Sequence, residues 1–233
     1  MINKICLGLL PLAFSATSMA HTLLIKPAPS GEGKAAEVMM TETFFEGERA
    51  LDNTLLNTQV VLANGIKWLR SAQQKKSKVL RYALPDTNQG MLIFTSAKPR
   101  YRGLKKGQPA TAPDNTLRID DFAKTIVAGS QPEISLVSGQ AFEIVPLVHP
   151  QNLDGENKMS LQVLLNGKPI QANIKVIPQV GEARRLSTDN NGLFDVTLDA
   201  QGTWVIKAVY KTEQGQDAYS GAYEAAASLL FEV

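Results

Sequence analysis

Residues 193–210, LFDVTLDAQGTWVIKAVY, decide the fold class of this chain. Apolar and polar side chains alternate from Leu193 to Leu198, and the alternation resumes at Trp204 after the Gln201-Gly202 pair. Alternation of this kind is typical of a strand that buries one of its faces. The segment therefore predicts two consecutive strands of a sheet that has one covered face.

The sequence around this segment continues the pattern. Short apolar segments are separated by turn residues at intervals of about eight to twelve residues, which is the spacing of a β-sandwich. The further predicted strands are Phe142–Val148, Leu161–Leu165, Ile170–Ile177 and Ala225–Val233, the second and third forming a hairpin across Asn166-Gly167. We predict that residues 132–233 form an immunoglobulin-like or transthyretin-like β-sandwich, because two packed sheets cover the apolar face of each strand.

The N-terminal part of the chain shows the same strand signals. Asn64-Gly65 separates two apolar segments and predicts a hairpin. The predicted strands are Val38–Phe45, Val60–Ala63, Ile66–Leu69, Val79–Leu84 and Met91–Ser96. We predict an N-terminal β domain over residues 21–102, so that the fold is all-β with two β-sandwich domains.

One segment between the two predicted domains has a different period. Within Leu117–Val127 the apolar residues recur at the spacings of an amphipathic helix. Asp114 or Asn115 would cap its start, and Gly129 would end it. The preceding residues are rich in Gly, Pro, Lys and Asn. We therefore predict a connector over residues 103–131 that contains one short helix.

Residues 1–20 have the order of a secretory signal peptide. Lys4 is followed by the apolar stretch Ile5–Phe14 and then by small residues that end at Ala20. The apolar stretch is shorter than the roughly 20 residues of a bilayer span, so a signal peptide is favoured over an N-terminal membrane anchor. We expect cleavage after Ala20, a periplasmic location, and a mature chain that begins at His21 and has no stable membrane span.

Charge and motif content argue against several function classes. The chain has 24 basic and 22 acidic side chains, whereas a nucleic-acid-binding protein shows a concentrated basic excess. It has no phosphate-binding loop, no dinucleotide-binding glycine pattern, no nucleophile elbow and no His-Glu-x-x-His motif. Hydrolytic triads need a histidine base, and His21 and His149 are the 2 histidines available. We expect a protein that is not an enzyme and that does not bind nucleic acid.

His21 is the residue whose position points to chemistry. At the start of a mature chain it would carry a free α-amino group with a pKa of about 7.7–8.0. The imidazole of the same residue can close a chelate with that amine, and such nitrogen ligands suit Ni, Co, Cu and Zn. Candidate further ligands are His149 and Glu46, with Glu48, Met39 and Met40 as supplements.

These residues also have structural explanations. His21 can be an incidental first residue, and His149 stands before Pro150, which suits a strand end. The two methionines suit core packing better than metal binding. Glu46 suits a turn after a strand.

Several motifs follow the order of a known family. The start, His21-Thr22-Leu23-Leu24-Ile25-Lys26-Pro27, resembles that family's His-x-hydrophobic-hydrophobic-hydrophobic-x-Pro opening. The other matching segments are residues 122–129, residues 142–147 with Pro150, residues 166–170, Thr188-Asp189-x-x-Gly192, Gly202-x-Trp204 and Leu229–Val233. Over nearly all of the mature chain, the sequence resembles the domain-of-unknown-function family that is grouped with periplasmic components of cobalt and nickel ABC-type uptake systems.

The resemblance implies a periplasmic protein of two β domains that handles a transition metal, and it implies a metal-binding role for His21. It does not extend to His149, and family members often have a histidine in the stretch where this chain has Glu46. The implied partners are a metal ion and either an inner-membrane metal transporter or an outer-membrane receptor.

Two other functions stay open at this stage. A non-catalytic carbohydrate- or protein-binding β-sandwich would need an exposed aromatic patch, for example Tyr101, Tyr219 and Tyr223. A copper oxygenase with an N-terminal histidine brace would need His149 beside His21.

Overall fold

The computed structural model describes residues 21–28, 34–42, 46–71, 76–86, 90–103, 115–127, 129, 135–153 and 157–233. Within these residues the regular structure consists of strands and two short 3-10 turns, Asn53–Leu55 and Pro150–Asn152. The predicted all-β class is therefore confirmed. The predicted signal peptide, residues 1–20, lies outside the described residues.

The described strands are numbered in chain order. They are β1 (Thr22–Pro27), β2 (Ala35–Thr41), β3 (Leu51–Asp52), β4 (Leu56–Leu62), β5 (Gly65–Trp68), β6 (Lys76–Ser77), β7 (Val79–Ala83), β8 (Met91–Ala97), β9 (Arg100–Gly103), β10 (Thr116–Val127), β11 (Phe142–Pro146), β12 (Lys158–Leu165), β13 (Lys168–Pro169), β14 (Asn173–Pro178), β15 (Arg184–Ser187), β16 (Leu193–Thr197), β17 (Thr203–Thr212) and β18 (Ala222–Glu232).

A nine-stranded sheet forms the centre of the molecule. Its strand order is β15-β14-β17-β18-β10-β8-β4-β5, with β9 beside the first part of β10. All of its pairs are antiparallel except β10 with β18, which run parallel. Strands from the N-terminal and the C-terminal parts of the chain thus hydrogen-bond into one central sheet.

One face of the central sheet packs against a four-stranded sheet made of β11, β12, β13 and β16. The core between them contains Phe142, Trp204 and Phe231, each of which is almost completely buried. Burying each of these large side chains contributes about 1.5–3 kcal/mol to folding. This is a β-sandwich, as the alternating segments predicted.

The opposite face of the central sheet curls around the three-stranded sheet β1-β2-β7. Residues that lie directly opposite each other on paired strands share one face of a sheet. Leu230 lies opposite Thr125 and Thr125 opposite Ile93. Ile93 in turn lies opposite Val60, so these residues all lie on this face. Ile93 and Val60 pack in a core with Leu23, whereas Leu230 packs in a core with Leu24. Successive residues of a strand point to opposite faces, so β1 is covered on both of its faces.

The predicted helix over Leu117–Val127 is wrong. These residues lie in β10, the longest described strand, at 12 residues. Phe122 and Ile126 face the four-stranded sheet, and Ala123 faces β1–β2–β7. A strand that is buried on both faces shows no alternation, so apolar side chains from both faces combined into a helical spacing. The predicted cap Asp114 and most of the preceding connector, residues 104–114, lie outside the described residues.

The predicted hairpin at Asn166-Gly167 is correct in its turn but not in its second strand. Both residues have positive φ, 51° and 74°, as a two-residue hairpin turn requires. The returning strand that pairs with β12 is only β13, which ends at Pro169. The chain then crosses to the central sheet, where β14 pairs with β15 and β17. One further ladder bond, from the Ile170 N–H to the Val163 carbonyl at 3.1 Å, forms before the chain leaves β12.

Candidate metal centre

The pairing of β1 with β2 positions the first two side chains of the site. Thr22 lies opposite Thr41 in this antiparallel pair. The next residues outward, His21 and Glu42, are therefore neighbours at the open end of the hairpin. Residues that face each other across an antiparallel pair have Cβ atoms about 5 Å apart, which is within reach of an imidazole and a carboxylate.

The third side chain, Glu48, is brought back to the same end by the loop after β2. The Glu48 N–H donates a hydrogen bond to the Met40 carbonyl at 3.0 Å, and Arg49 forms a bridge with Met40. Gly47 allows this return, since a Cβ at this position would stand 2.5 Å from the Lys78 carbonyl oxygen. The loop therefore passes against the backbone that enters β7.

The ligand atoms of His21, Glu42 and Glu48 all lie within 4.8 Å of one another. His21 Nδ1 is 3.3 Å from Glu42 Oε1, and these two side chains are 34% and 41% exposed. The group is thus half-buried and reachable from solvent. One imidazole nitrogen and two carboxylates converge on a point where a divalent cation would be bound by all three.

The donor set fits a borderline divalent cation. Imidazole nitrogen suits Zn, Cu, Fe and Ni, while carboxylate oxygen favours harder divalent ions. Two carboxylates would also neutralise the charge of the ion. His21 Nδ1, the atom that faces Glu42, is the ring nitrogen nearer to the backbone nitrogen of His21, so a free amine there would complete the chelate that the sequence predicts.

The comparison with family models identifies the chain's relatives. A model described as a domain of unknown function, DUF4198, matches residues 18–212. The chain belongs to the DUF4198 family. A comparison with curated proteins finds no match for this DUF4198 chain.

Among solved structures, the DUF4198 chain is similar to the D0-D1 domain of intimin. The two sequences are 12% identical, the match covers 91% of this chain and 97% of that chain, and the TM-score is 0.24. A similarity at this level carries no argument about the site. Across the described part of the DUF4198 chain, no helix combines the length and the apolar character that crossing a membrane requires.

Glu46, the carboxylate named from the sequence, lies in the loop between Glu42 and Glu48 and is exposed. The described carboxylates that share the cluster with His21 are those of Glu42 and Glu48. Glu48 was considered from the sequence as a supplement, but Glu42 was missed. The signal for Glu42 is the register of β1 against β2, which the sequence alone does not specify because the loop between them can have several lengths.

The methionines do not reach the cluster. Met39 and Met40 alternate along β2 and are buried in two different cores. Both therefore fill space in the cores on either side of the three-stranded sheet, as their structural explanation predicts.

His149 lies away from His21. It shares a cavity with Pro27, the last residue of β1, whereas His21 precedes the first residue of that strand. Six residues of β-strand span about 20 Å. The two histidines therefore do not form a common site in this structure, and the geometry that a histidine brace would need is absent between them.

The three tyrosines named as a candidate aromatic patch do not form one surface. Tyr219 is 73% exposed, but Tyr223 is 3% exposed and its hydroxyl bonds Asp120 at 3.3 Å. The Tyr101 hydroxyl donates a hydrogen bond to Asp217 at 2.7 Å. This bond is the main cause that lowers the pKa of Asp217 to about 2. The hydroxyls of Tyr101 and Tyr223 thus serve a polar network that also includes Arg118, whereas Tyr219 meets Asp217 only through its backbone N–H among the described contacts.

Proposed function

We propose that this protein is a periplasmic transition-metal-binding protein that takes part in the uptake or delivery of nickel, cobalt or a neighbouring metal. The observation that carries the proposal is the convergence of His21, Glu42 and Glu48 within 4.8 Å at one end of β1. A metal held by one nitrogen and two oxygens on an accessible surface can be passed to another protein. The expected recipient or donor is an inner-membrane metal transporter or an outer-membrane receptor.

Removal of residues 1–20 would complete the site. In the uncleaved chain the nitrogen of His21 is part of a peptide bond and cannot bind a metal as an amine. After cleavage, an α-amino group with a pKa of about 7.7–8.0 would lose its proton readily to a metal ion. The amine and Nδ1 of His21 would then bind the ion together, while Glu42 and Glu48 would supply oxygen ligands.

The test is a metal titration of protein that begins at His21, beside protein with one extra residue before His21. We expect tight binding of Ni²⁺ and Co²⁺ in the first form and a loss of at least about tenfold in affinity in the second. Competition between metals would then give the order of preference, with Cu²⁺ above Ni²⁺ and Ni²⁺ above Co²⁺ if simple ligand chemistry decides.

Two matched substitutions locate the site within the loop. Glu42→Gln keeps the shape of the side chain but removes a charged ligand, so we expect it to weaken binding by about tenfold or more. Glu46→Gln makes the same chemical change on an exposed residue outside the cluster and should leave the affinity unchanged. Equal effects of the two substitutions, or no binding by the form that begins at His21, would refute the proposal.

A further inference from the structure

The strand β5 is the last strand at one end of the central sheet. All of its residues are exposed, including Ile66 at 58% and Trp68 at 66%. Residues two apart in a strand point to the same face, so these two large apolar side chains share one face of β5. Natural sheets usually avoid exposed apolar edge strands, because such an edge recruits another strand. β5 therefore has the side chains of an edge that receives a strand.

The backbone of β5 is also open on its outer side. The Leu69 N–H donates a hydrogen bond to a β4 carbonyl at 2.9 Å. In an antiparallel pair, the direction of these bonds alternates from residue to residue. Lys67 therefore also bonds β4, whereas the N–H and C=O groups of Ile66 and Trp68 point away from it. Within the described part of the chain no strand pairs with β5 on that side, and the chain meets β7 only further on, at Ser71.

The segment around β5 is strongly basic. From residue 53 to residue 85 the sequence contains no Asp or Glu, and its charged residues are Lys67, Arg70, Lys75, Lys76, Lys78 and Arg81. Lys67 and Arg70 are exposed, and neither forms an ion pair with another described residue. Because opposite charges that face each other on paired strands are stabilising, a strand added to β5 should carry an acidic side chain beside Lys67.

Two other occupants fit this edge less well. In a symmetric antiparallel pair of two copies of β5, Ile66 of each copy would bond Trp68 of the other. That arrangement places the two Lys67 side chains directly opposite each other, and like charges at such positions are destabilising. A lipid surface offers no groups in its apolar part that could pair with the open N–H and C=O groups. The edge is therefore suited to a strand from a different protein.

We propose that β5 binds an extended segment of a partner protein in which one acidic side chain stands between two apolar ones. The segment joins the central sheet as a further antiparallel strand and exchanges hydrogen bonds with Ile66 and Trp68. Its apolar side chains lie beside those of Ile66 and Trp68 on one face, and its acidic side chain lies beside Lys67 on the other. The site consists of the open edge of β5 and does not depend on the metal cluster.

The probe is the peptide acetyl-STVEVTS-amide, whose Val-Glu-Val centre has this pattern. The chain has 2 tryptophans, and Trp204 is only 1% exposed, so a change in tryptophan emission reports on Trp68. We expect the emission to move to shorter wavelength, with a dissociation constant of about 0.1–1 mM, as is usual for so short a peptide. A chelator is present throughout, so that the result does not depend on a bound metal. An emission that does not respond to the peptide overturns the proposal.

Two altered peptides test the strand pairing and the charge. A peptide with N-methyl groups on both valines cannot donate hydrogen bonds to β5, and we expect it to bind at least about tenfold more weakly. The peptide acetyl-STVKVTS-amide places a like charge opposite Lys67, and we expect it to bind about fivefold more weakly. Equal affinity of the N-methylated peptide would show that no strand is formed and would overturn the proposal.

A matched pair of variants locates the charge at β5. Lys67→Glu should reverse the preference, so that the lysine peptide binds more tightly than the glutamate peptide. Lys168→Glu makes the same change on an exposed residue of β13, in the four-stranded sheet, and should leave both affinities unchanged. Equal effects of the two substitutions would indicate general charge attraction and would overturn the proposal. The amide spectrum of each variant verifies that it is folded.

Two outcomes would assign the edge to another occupant and would also overturn the proposal. One is an emission shift with vesicles of phosphatidylglycerol but none with the glutamate peptide, which would indicate a membrane surface. The other is an emission shift that depends on the concentration of the protein alone, which would indicate a second copy of the chain.

Discussion

At the scale of single residues, His149 gives the protein a dependence on pH. Burial lowers the pKa of His149 below its ordinary value of about 6.5. At a pH between about 6.5 and the lowered pKa of His149, the unfolded chain binds a proton that the folded chain excludes. The stability contributed by neutral His149 is therefore fully present above about pH 6.5 and is lost as the pH falls towards the folded-state pKa.

We accordingly expect His149→Gln to reduce the fall in the free energy of unfolding between about pH 7 and pH 5. The measurement is urea denaturation at a series of pH values for both proteins. Parallel curves for the variant and the unsubstituted protein would contradict the assignment.

Lys124 and Glu143 form an ion pair inside the core. Their side chains are 2% and 1% exposed, and the Lys124 Nζ to Glu143 Oε2 distance is 2.8 Å. Lys124 also donates to the Leu136 carbonyl, and the Ser138 N–H and hydroxyl donate to Glu143. The pair therefore ties the centre of β10 to the segment that leads into β11.

Breaking this pair from one side leaves a buried charge alone. We expect Lys124→Met to lower the free energy of unfolding by about 3–5 kcal/mol. Lys124→Met with Glu143→Leu should cost less than Lys124→Met by itself, because no unpaired charge is left. Urea denaturation of the single and double variants measures the difference, and a double variant less stable than the single one would show that the charges are not coupled.

At the scale of elements, the sequence predicts β16 and β17 well and β10 badly. β16 and β17 were predicted within two residues at each end, because polar residues such as Asp195 and Lys207 recur on one face of each strand and keep the alternation visible. β10 is covered on both faces, and its polar residues are accommodated by specific partners, such as Arg100 for Asp121. Such partners come from distant segments, so the sequence gives no local signal for them.

The same reasoning applies to the metal cluster. The position of His21 at the expected mature start was visible in the sequence, but its carboxylate neighbours depend on how β1 pairs with β2. Glu42 and Glu46 have the same chemistry and are four residues apart. Only the register of β1 against β2 and the path of the loop after β2 distinguish them, and both depend on tertiary contacts.

The loop after β2 provides a prediction of its own. A methyl group at Gly47 would clash with the Lys78 carbonyl. The loop would have to shift away from this carbonyl, which would move Glu48 out of the cluster. We expect Gly47→Ala to weaken Ni²⁺ binding by about tenfold while the melting temperature falls by only a few degrees, about the effect of 1 kcal/mol. Metal titration and thermal denaturation measure the two effects. Glu46→Ala in the same loop is the control, and an unchanged affinity in Gly47→Ala would contradict the proposed role of the loop.

At the scale of the whole molecule, the curl of the central sheet encloses β1. Leu23, Leu24 and Ile25 are each at most 1% exposed, and the Ser228 hydroxyl of β18 donates to the Leu23 carbonyl at 2.6 Å. A strand near a chain terminus is usually among the first to open. Here β1, the first described strand, lies in the interior, so it should open only when the entire fold does.

Hydrogen exchange tests this directly. We expect the amides of β1 to exchange as slowly as those of β18, with an opening free energy close to that of global unfolding. Mass spectrometry of peptides covering β1 and β18 makes the comparison. Fast exchange in β1 beside slow exchange in β18 would mean that the strand opens on its own.

The enclosure of β1 also sets the order in which the molecule can be assembled. The hydrogen bond between Ser228 and Leu23 spans 205 positions of the chain, and contacts of such high sequence separation slow folding. β1 is therefore covered by β18, a strand that is synthesised long after it. A chain that stops before β18 would leave β1 without its lining, so the end that carries His21 becomes ordered only after β18 has been made.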